Sequence, residues 1–434
     1  EICDETQFVT LRAVNKLKSS KLTVIKVDSE TGQTVRGVTG FKLKNTKTGE
    51  ESEVYYTDEN GSLTLPSEIT YGNYELTEVV PPNGYVLNTT PVSFGIDGNT
   101  PEVIIRLSDK PEKGKISVLK KGEMFSSVEV SEDRYVPVYS ERGLTGAEFE
   151  VSAAEDIYTA DGTLRIKAGK TADRIITGAD GTAESKELYP GKYLLREISA
   201  PDGFVLDTQV KELTVTTGIK KIEVKNERQK QEYTIQKNLE TDQKFGIGLN
   251  GEILNIRFGL FSKTELTALD GSIIPAGGLI DTAEPDEDGF ISFTADMPYN
   301  AECYIKELET DGHYILSDEQ YLNGDTVINK IIRGSIEGLK TDPNGRVLRG
   351  AVIGLFYPFE TEFSADTAIE TFETDEAGRF LFENVPYGDW IIRELKAPDG
   401  YILSEENYTV TVKENGETVK LNIKNSKVCL LYTS

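Results

Sequence analysis

This sequence predicts an all-β chain, built as a row of β-sandwich domains. Short runs of alternating apolar and polar residues recur along it, separated by glycine-bearing turns. No stretch sustains the 3.6-residue apolar period of a helix. The third observation is repetition. YLLREISAPDGF, from Tyr193 to Phe204, returns as YELTEVVPPNGY at Tyr74, CYIKELETDGHY at Cys303 and WIIRELKAPDGY at Trp390. Each copy has a strand-like run with one glutamate (Glu78, Glu197, Glu307, Glu394), then a turn, then an aromatic (Tyr85, Phe204, Tyr314, Tyr401).

The elements follow in order. FVTLRAVNKLK, from Phe8, reads as the last strand of a truncated preceding repeat occupying residues 1–18. Four repeats then span 19–112, 113–229, 230–333 and 334–427, and residues 428–434 are assigned no fold. Each repeat opens with a strand carrying a lysine: KLTVIKVD with Lys26, KISVLKKG with Lys120, EYTIQKNL with Lys237 and GSIEGLKTD with Lys340. Next come hairpin signals, TDENGSLTL, TGADGTAES, PDEDGFISF and TDEAGRFLF, each a glycine turn leading into a strand. The second repeat is lengthened by GEMFSSVEVSEDRYVPVYSERG, residues 122–143, an inserted loop or hairpin. The glutamate strand follows, and a closing strand bears Asp109, Asn226, Asn329 or Asn425. From that residue to the next lysine the register is constant: 15 to 26, 109 to 120, 226 to 237 and 329 to 340. Short linkers such as KPEKG at Lys110 suggest that the repeats succeed one another as an elongated rod.

Composition narrows the function. A net charge of -26 disfavours nucleic acid and anionic membranes as partners. Three distant cysteines (Cys3, Cys303, Cys429) make neither a disulfide framework nor a metal spacing. The single histidine, His313, reads as a turn residue and leaves no conventional triad or zinc site. No apolar run is long enough to span a membrane and no signal peptide opens the chain, so it reads as an internal piece of something longer. No cofactor or metal is expected. The acidic turns lack the length and closing glutamate of an EF-hand and read as hairpins. The aromatics Tyr74, Tyr193 and Trp390 read as core rather than as a sugar-binding platform, and Cys303 as a small buried hydrophobe.

The charged positions are unusual because a strand places residues i, i+2 and i+4 on one face. Glu78 thereby shares a face with Leu76 and Tyr74, Lys26 with Val24 and Leu22, and Asn226 with Val224 and Ile222. Lys340, beside Gly338 and Ile336, fits less well. A carboxylate aimed into a core is unfavourable unless paired or neutral. If the strands pack as a sandwich, lysine, glutamate and Asn or Asp meet inside it. Burial favours a neutral amine and a protonated carboxyl. Such an amine can attack the side-chain carbonyl while the glutamate assists proton transfer, expelling ammonia from Asn or water from Asp. The alternative is an ordinary buried salt bridge.

The lysine opening, the Y-x-L-x-E-x-x-A-P-x-G-Y box and the closing x-N-K strand resemble the B-type repeat of collagen-binding adhesins and SpaA-like pilins of Gram-positive bacteria. The resemblance implies a prealbumin-like, immunoglobulin-like sandwich locked by an internal isopeptide bond. It assigns the crosslinks to Lys26–Asp109, Lys120–Asn226, Lys237–Asn329 and Lys340–Asn425, with Glu78, Glu197, Glu307 and Glu394 as the catalytic carboxyls. Asp109 departs from the commoner Asn, and the third box, ELETDGHY, lacks the proline.

The expected function is structural: a cell-wall-anchored stalk on a Gram-positive surface, self-crosslinked once and not a turnover enzyme. Its partners would be the neighbouring repeats of the same chain. Two alternatives stay open: an adhesin module binding a host or extracellular-matrix protein, with residues 122–143 as the favoured place, or a sortase-assembled pilus shaft subunit. A glycan hydrolase using paired carboxylates is a weaker option.

Overall fold

The computed structural model describes residues 12–428. Strands dominate it, and the one helical element among the described residues is a 3-10 turn at Glu252–Asn255. The chain divides into two compact units, one of residues 1–124 with 141–228, the other of 125–140 with 229–434.

In the first unit, repeat 1 stacks two sheets. One is centred on Ser19–Asp28, which pairs antiparallel with Ser62–Thr64 and parallel with Glu102–Asp109. The other runs Tyr55–Tyr56, Gly40–Asn45, Gly72–Val80, Val92–Ile96. Leu22, Val24, Phe41, Leu76 and Leu107 fill the space between them. Alternation along Gly72–Val80 buries Tyr74, Leu76 and Glu78 while the intervening residues stay half-buried. Repeat 2 follows the same plan around Gly114–Ser131, which pairs parallel with Gly218–Lys225. A small hairpin of Ile157–Tyr158 and Leu164–Ile166 is added. From it Arg165 reaches the buried Asp28 of repeat 1.

In the second unit, repeat 3 is built around Tyr233–Leu239, parallel to Thr326–Asn329. Repeat 4 is built around Arg333–Thr341, parallel to Thr418–Lys424. Phe245, Ile247, Tyr314 and Ile331 of repeat 3 belong to the same buried cluster as the core of repeat 4, with Phe245 set edge-on to Trp390 at 5.1 Å. The awkward Gly338 is explained by packing: a Cβ there would lie 1.8 Å from the Phe380 ring, which occupies the space a side chain would need.

Residues 122–143 form a long hairpin, in which Gly114–Ser131 runs on and returns as Arg134–Gly143. The turn places Glu132 and Asp133 at φ 51° and 61°, as a two-residue hairpin turn of this hand requires. The distal half, 125–140, groups with residues 229–434 rather than with repeat 2. The strand expected from Phe8 is not seen over residues 12–18, which join no sheet, and its first four residues lie outside the described residues. Cys3 and Cys429 also lie outside them. Cys303 is half-buried rather than buried.

Candidate functional site

The geometry begins at the main chain. In each repeat the lysine N–H donates to the carbonyl of the hairpin-turn glycine: Lys26 to Gly61 at 2.9 Å, Lys120 to Gly181 at 2.8 Å, Lys237 to Gly289 and Lys340 to Gly378 at 2.7 Å. These glycines have φ between 74° and 80°, a region that disfavours side chains. Added Cβ atoms on Gly181, Gly289 and Gly378 would also press on the lysine's own carbonyl, at 2.1–2.7 Å. The turns' aspartates cap local N–H groups, as Asp58 does for Asn60 and Ser62 at 3.0 and 2.9 Å, which is the hairpin reading of these acidic stretches.

The closing strand then lies parallel to the lysine strand in one register throughout. Lys26 stands opposite Leu107, Lys120 opposite Val224, Lys237 opposite Val327 and Lys340 opposite Ile423. The acceptor two residues farther on therefore faces the same interior in every repeat. The glutamate arrives from the opposing sheet, directly across from Phe41, Phe149, Phe258 or Ile353.

The structure thus brings together all four sets of residues singled out from the sequence. Each lysine is fully buried, and each glutamate and acceptor nearly so. In repeat 4 the Lys340 ammonium donates to Asn425 Oδ1 and lies 2.9 Å from Glu394 Oε1. Asn425 Nδ2 lies 2.8 Å from that same oxygen. Repeat 3 matches it, with Lys237 Nζ at 2.5 Å from Asn329 Oδ1 and 2.9 Å from Glu307 Oε1, which Asn329 Nδ2 meets at 2.8 Å. In repeat 2, Glu197 Oε1 sits 2.9 Å from Lys120 Nζ and 3.0 Å from Asn226 Nδ2. One carboxyl oxygen therefore stands between the amine and the amide nitrogen. The other oxygen is held by a main-chain N–H, from Asp207 at 2.7 Å, Ser317 at 2.9 Å and Ser404 at 2.8 Å. Burial pushes the amines of Lys120, Lys237 and Lys340 below the ordinary lysine value.

Repeat 1 differs. Lys26 Nζ lies 2.5 Å from both Glu78 Oε2 and Asp109 Oδ1, while Glu78 Oε1 and Asp109 Oδ2 are buried with no partner. Desolvation pushes the Glu78 carboxyl up to about 7, opposed by Lys26 and reinforced by Asp109.

The missing proline of the third box changes little. Tyr314 N–H donates to Asp311 O at 3.0 Å, as Tyr85, Phe204 and Tyr401 do to Pro82, Pro201 and Pro398 at 3.1 Å. Each box aromatic then bridges to the chain just beyond the acceptor, Tyr85 to Pro111 and Tyr401 to Lys427 for example. Tyr74, Tyr193 and Trp390 are core residues whose polar atoms donate to the carbonyl four residues back, at 3.0, 2.8 and 2.9 Å. His313 lies in its turn, 2.6 Å from Asp311.

Two features escaped the sequence reading. One is the glycine carbonyl that seats each lysine. The other is the ring beneath the amine, Phe41 at 5.8 Å, Phe149 at 5.5 Å and Phe258 at 5.4 Å. The turn glycines were visible as turns, but nothing in the sequence linked them to the lysine.

Comparison with known proteins places the chain in a lineage. A family model described as "SpaA: Prealbumin-like fold domain" matches residues 20–111, 138–228 and 334–427, together well over half the chain. A "Trypsin-resistant surface T6 protein" of Streptococcus pyogenes serotype M6 is 26% identical over 211 residues. That match covers 44% of this chain and 37% of the streptococcal protein, so the chain spans little more than a third of its relative. Among solved structures, the Bacillus anthracis TIE protein aligns over 96% of this chain and 76% of its own, with TM-score 0.57 and 21% identity, a likeness of fold. BcpA, the major pilin subunit of Bacillus cereus, overlaps less, with TM-score 0.35 and 20% identity over 73% of this chain and all of that one.

Proposed function

From the premise that this chain belongs to the family of SpaA prealbumin-like domains, we propose that it is a load-bearing stalk of a Gram-positive surface protein. Each repeat is closed by a Lys–Asn or Lys–Asp amide bond of its own making. The observation that supports this best is the shared oxygen. In repeats 2, 3 and 4, Oε1 of the glutamate is within hydrogen-bond distance of both the lysine Nζ and the asparagine Nδ2.

The chemistry follows from that placement. The neutral amine uses its lone pair on the asparagine Cγ, and the carbonyl π electrons move to Oδ1. The nitrogen that has bonded gives a proton to the glutamate, which passes one to Nδ2. Collapse of the tetrahedral carbon breaks Cγ–Nδ2, releases ammonia and leaves an Nζ–Cγ amide. In repeat 1 the same steps on the Asp109 carboxyl, which takes its proton from Glu78, release water. Proximity supplies the rate: the groups are already in contact in a buried site. Nothing is turned over.

The first and last strands are parallel neighbours, and the proposed bond joins their far ends, so tension entering along the first strand crosses to the last without loading the rest of the repeat. The bonds close loops of 83, 106, 92 and 85 residues. In the chain-entropy model each is worth roughly 4–5 kcal/mol, by analogy with a disulfide. Domains closed in this way resist proteolysis, in keeping with the streptococcal relative's description as trypsin-resistant. A surface location on a Gram-positive cell is read from that same relative.

The adhesin alternative loses ground, because the distal half of the hairpin proposed as its binding loop is packed within the second unit. Intact mass of the denatured chain tests the main proposal. The expected deficit is three ammonias and one water. An unmodified mass would reduce the four sites to buried ion pairs.

A further inference from the structure

Repeat 3 is the one repeat that the family model leaves unmatched, and the distal half of the hairpin inserted in repeat 2 packs on it. Residues 125–140 lie against it within the second unit. Phe125, Val128 and Tyr135 pack on the cluster that contains Phe258, Leu260 and Ile274. The polar contacts are equally specific. The turn after Leu266–Thr267 donates Leu269 N–H to Phe125 O at 3.2 Å and Asp270 N–H to Ser126 O at 3.1 Å. Val128 N–H donates to Ser272 Oγ at 2.8 Å, and Tyr139 Oη to Asp296 O at 2.9 Å. Arg134 stands 3.8 Å from Asp281, a buried carboxylate that otherwise accepts from Thr294 and Ala295 main-chain N–H groups. Gly278 lies beneath the Tyr135 ring, where an added Cβ would come within 3.0 Å.

An incidental contact would not show main-chain hydrogen bonds from two consecutive turn residues, aromatic packing on the core and an arginine beside a buried carboxylate. Repeat 3 also lacks the large core aromatic that the others place four residues before the glutamate. Cys303 stands there, and it is half-buried. We propose that residues 125–140 are a structural part of repeat 3: residues 230–333 need this hairpin, supplied from earlier in the chain, to reach their stable fold. The segment is encoded more than a hundred residues upstream of what it packs on (Val128 to Ser272 spans 144 positions).

The test is made on the full chain, with residues 125–140 replaced by a short glycine-containing turn. Limited proteolysis is followed site by site, and cleavage within 230–333 should accelerate ~10-fold or more, because it tracks the open population. Sites within 19–112 should be unchanged. This readout does not depend on isopeptide formation, so it can fail while the crosslinking proposal stands, and the reverse. Equal protection of 230–333 in the replaced chain overturns the proposal. Should the replacement unfold repeat 2 as well, the double variant Val128→Ser/Tyr135→Ser, which keeps the hairpin's own main-chain pairing, decides. Selective exposure of 230–333 supports the dependence, and wild-type protection refutes it.

Discussion

Repeats 1 and 4 hold the same three side-chain positions in the same strand register, yet their interiors are balanced differently. Around Glu394 every polar atom has a partner: Oε1 meets the lysine and the amide, and Oε2 takes the Ser404 N–H. Around Glu78 two carboxyls crowd one lysine, and two buried oxygens have no partner. The difference stems from one residue, Asp109 in place of Asn, because a carboxyl cannot offer the NH₂ that occupies Glu394 from the other side. It teaches that one scaffold holds two buried carboxyls in different balance, one satisfied by hydrogen bonds and one pushed by burial up to about 7.

The largest effect comes from removing the carboxyl. Glu78→Gln and Glu394→Gln should each abolish the bond in their own repeat. The mass should then retain one water in the first case and one ammonia in the second. Thermal or denaturant unfolding should show a loss of roughly 4–5 kcal/mol for that repeat. Bond formation surviving in either variant would mean that the glutamate is only a lining residue.

Next in size is pH. Glu78 titrates at about 7 in the folded state against an ordinary 4.5. The uncrosslinked repeat binds this proton more tightly than the unfolded chain does. Its stabilising contribution is therefore complete below 4.5 and lost as pH rises through about 7. Lys340, lowered from 10.5, has the opposite slope: the folded state prefers the neutral amine, so stability rises with pH from the lowered value up to 10.5. Refolding an uncrosslinked chain at graded pH, with peptide mass mapping over time, should show the two bonds diverging. The Lys26–Asp109 bond should slow about tenfold per unit above 7, as the protonated fraction of Glu78 falls, while the Lys340–Asn425 bond should not slow. Asp109→Asn should change the lost molecule from water to ammonia and give repeat 1 the alkaline tolerance of repeat 4. Parallel pH profiles in the unaltered repeats would erase the contrast.

How much of this was legible follows from where each piece is encoded. Lysine and glutamate lie inside strands, and the acceptor at the end of one or one residue beyond it, where period-2 alternation still reveals the buried face, so Lys26, Glu394 and Asn425 could be read directly. The seat of the lysine could not. Gly61 and Gly378 announce a turn, but their carbonyls' partner depends on how the hairpin folds back over the first strand. The N–H groups of Asp207, Ser317 and Ser404 leave no side-chain signature at all. Phe41, Phe149, Phe258 and Ile353 sit at unequal distances from their lysines, because insertions separate the strands, so only cross-strand register shows them to be equivalent. That residues 125–140 pack on repeat 3 could not be read from the insertion 122–143 for a related reason: alternation in a hairpin shows that one side is apolar, not what covers it.

A smaller effect is expected at the lysine's seat. Gly61→Ala and Gly378→Ala both force a side chain into φ 74°, at a cost of about 1–3 kcal/mol in unfolding experiments. Gly61 should fare worse, since its Cβ would meet Val35 O at 1.9 Å, against 2.7 Å from Lys340 O for Gly378. The bond in each repeat should still form, more slowly. Equal destabilisation would show that backbone conformation, and not the close approach, dominates.

The smallest effect isolates the ring. Repeat 1 places Phe41 under its amine at 5.8 Å, whereas repeat 4 has Ile353 at the equivalent cross-strand position. An aromatic face attracts an ammonium but has no comparable hold on a neutral amine. If the reacting lysine is neutral, the ring is there to exclude water and fill volume, and an aliphatic side chain serves as well. Phe41→Ile should then leave the water-loss product intact and lower the stability of repeat 1 by about 1–2 kcal/mol, because the aliphatic side chain is smaller than the buried ring it replaces. A failure to crosslink in this variant would instead show that the ring holds a charged lysine in place. Repeat 4, which has the same trio without a ring, already argues that it need not.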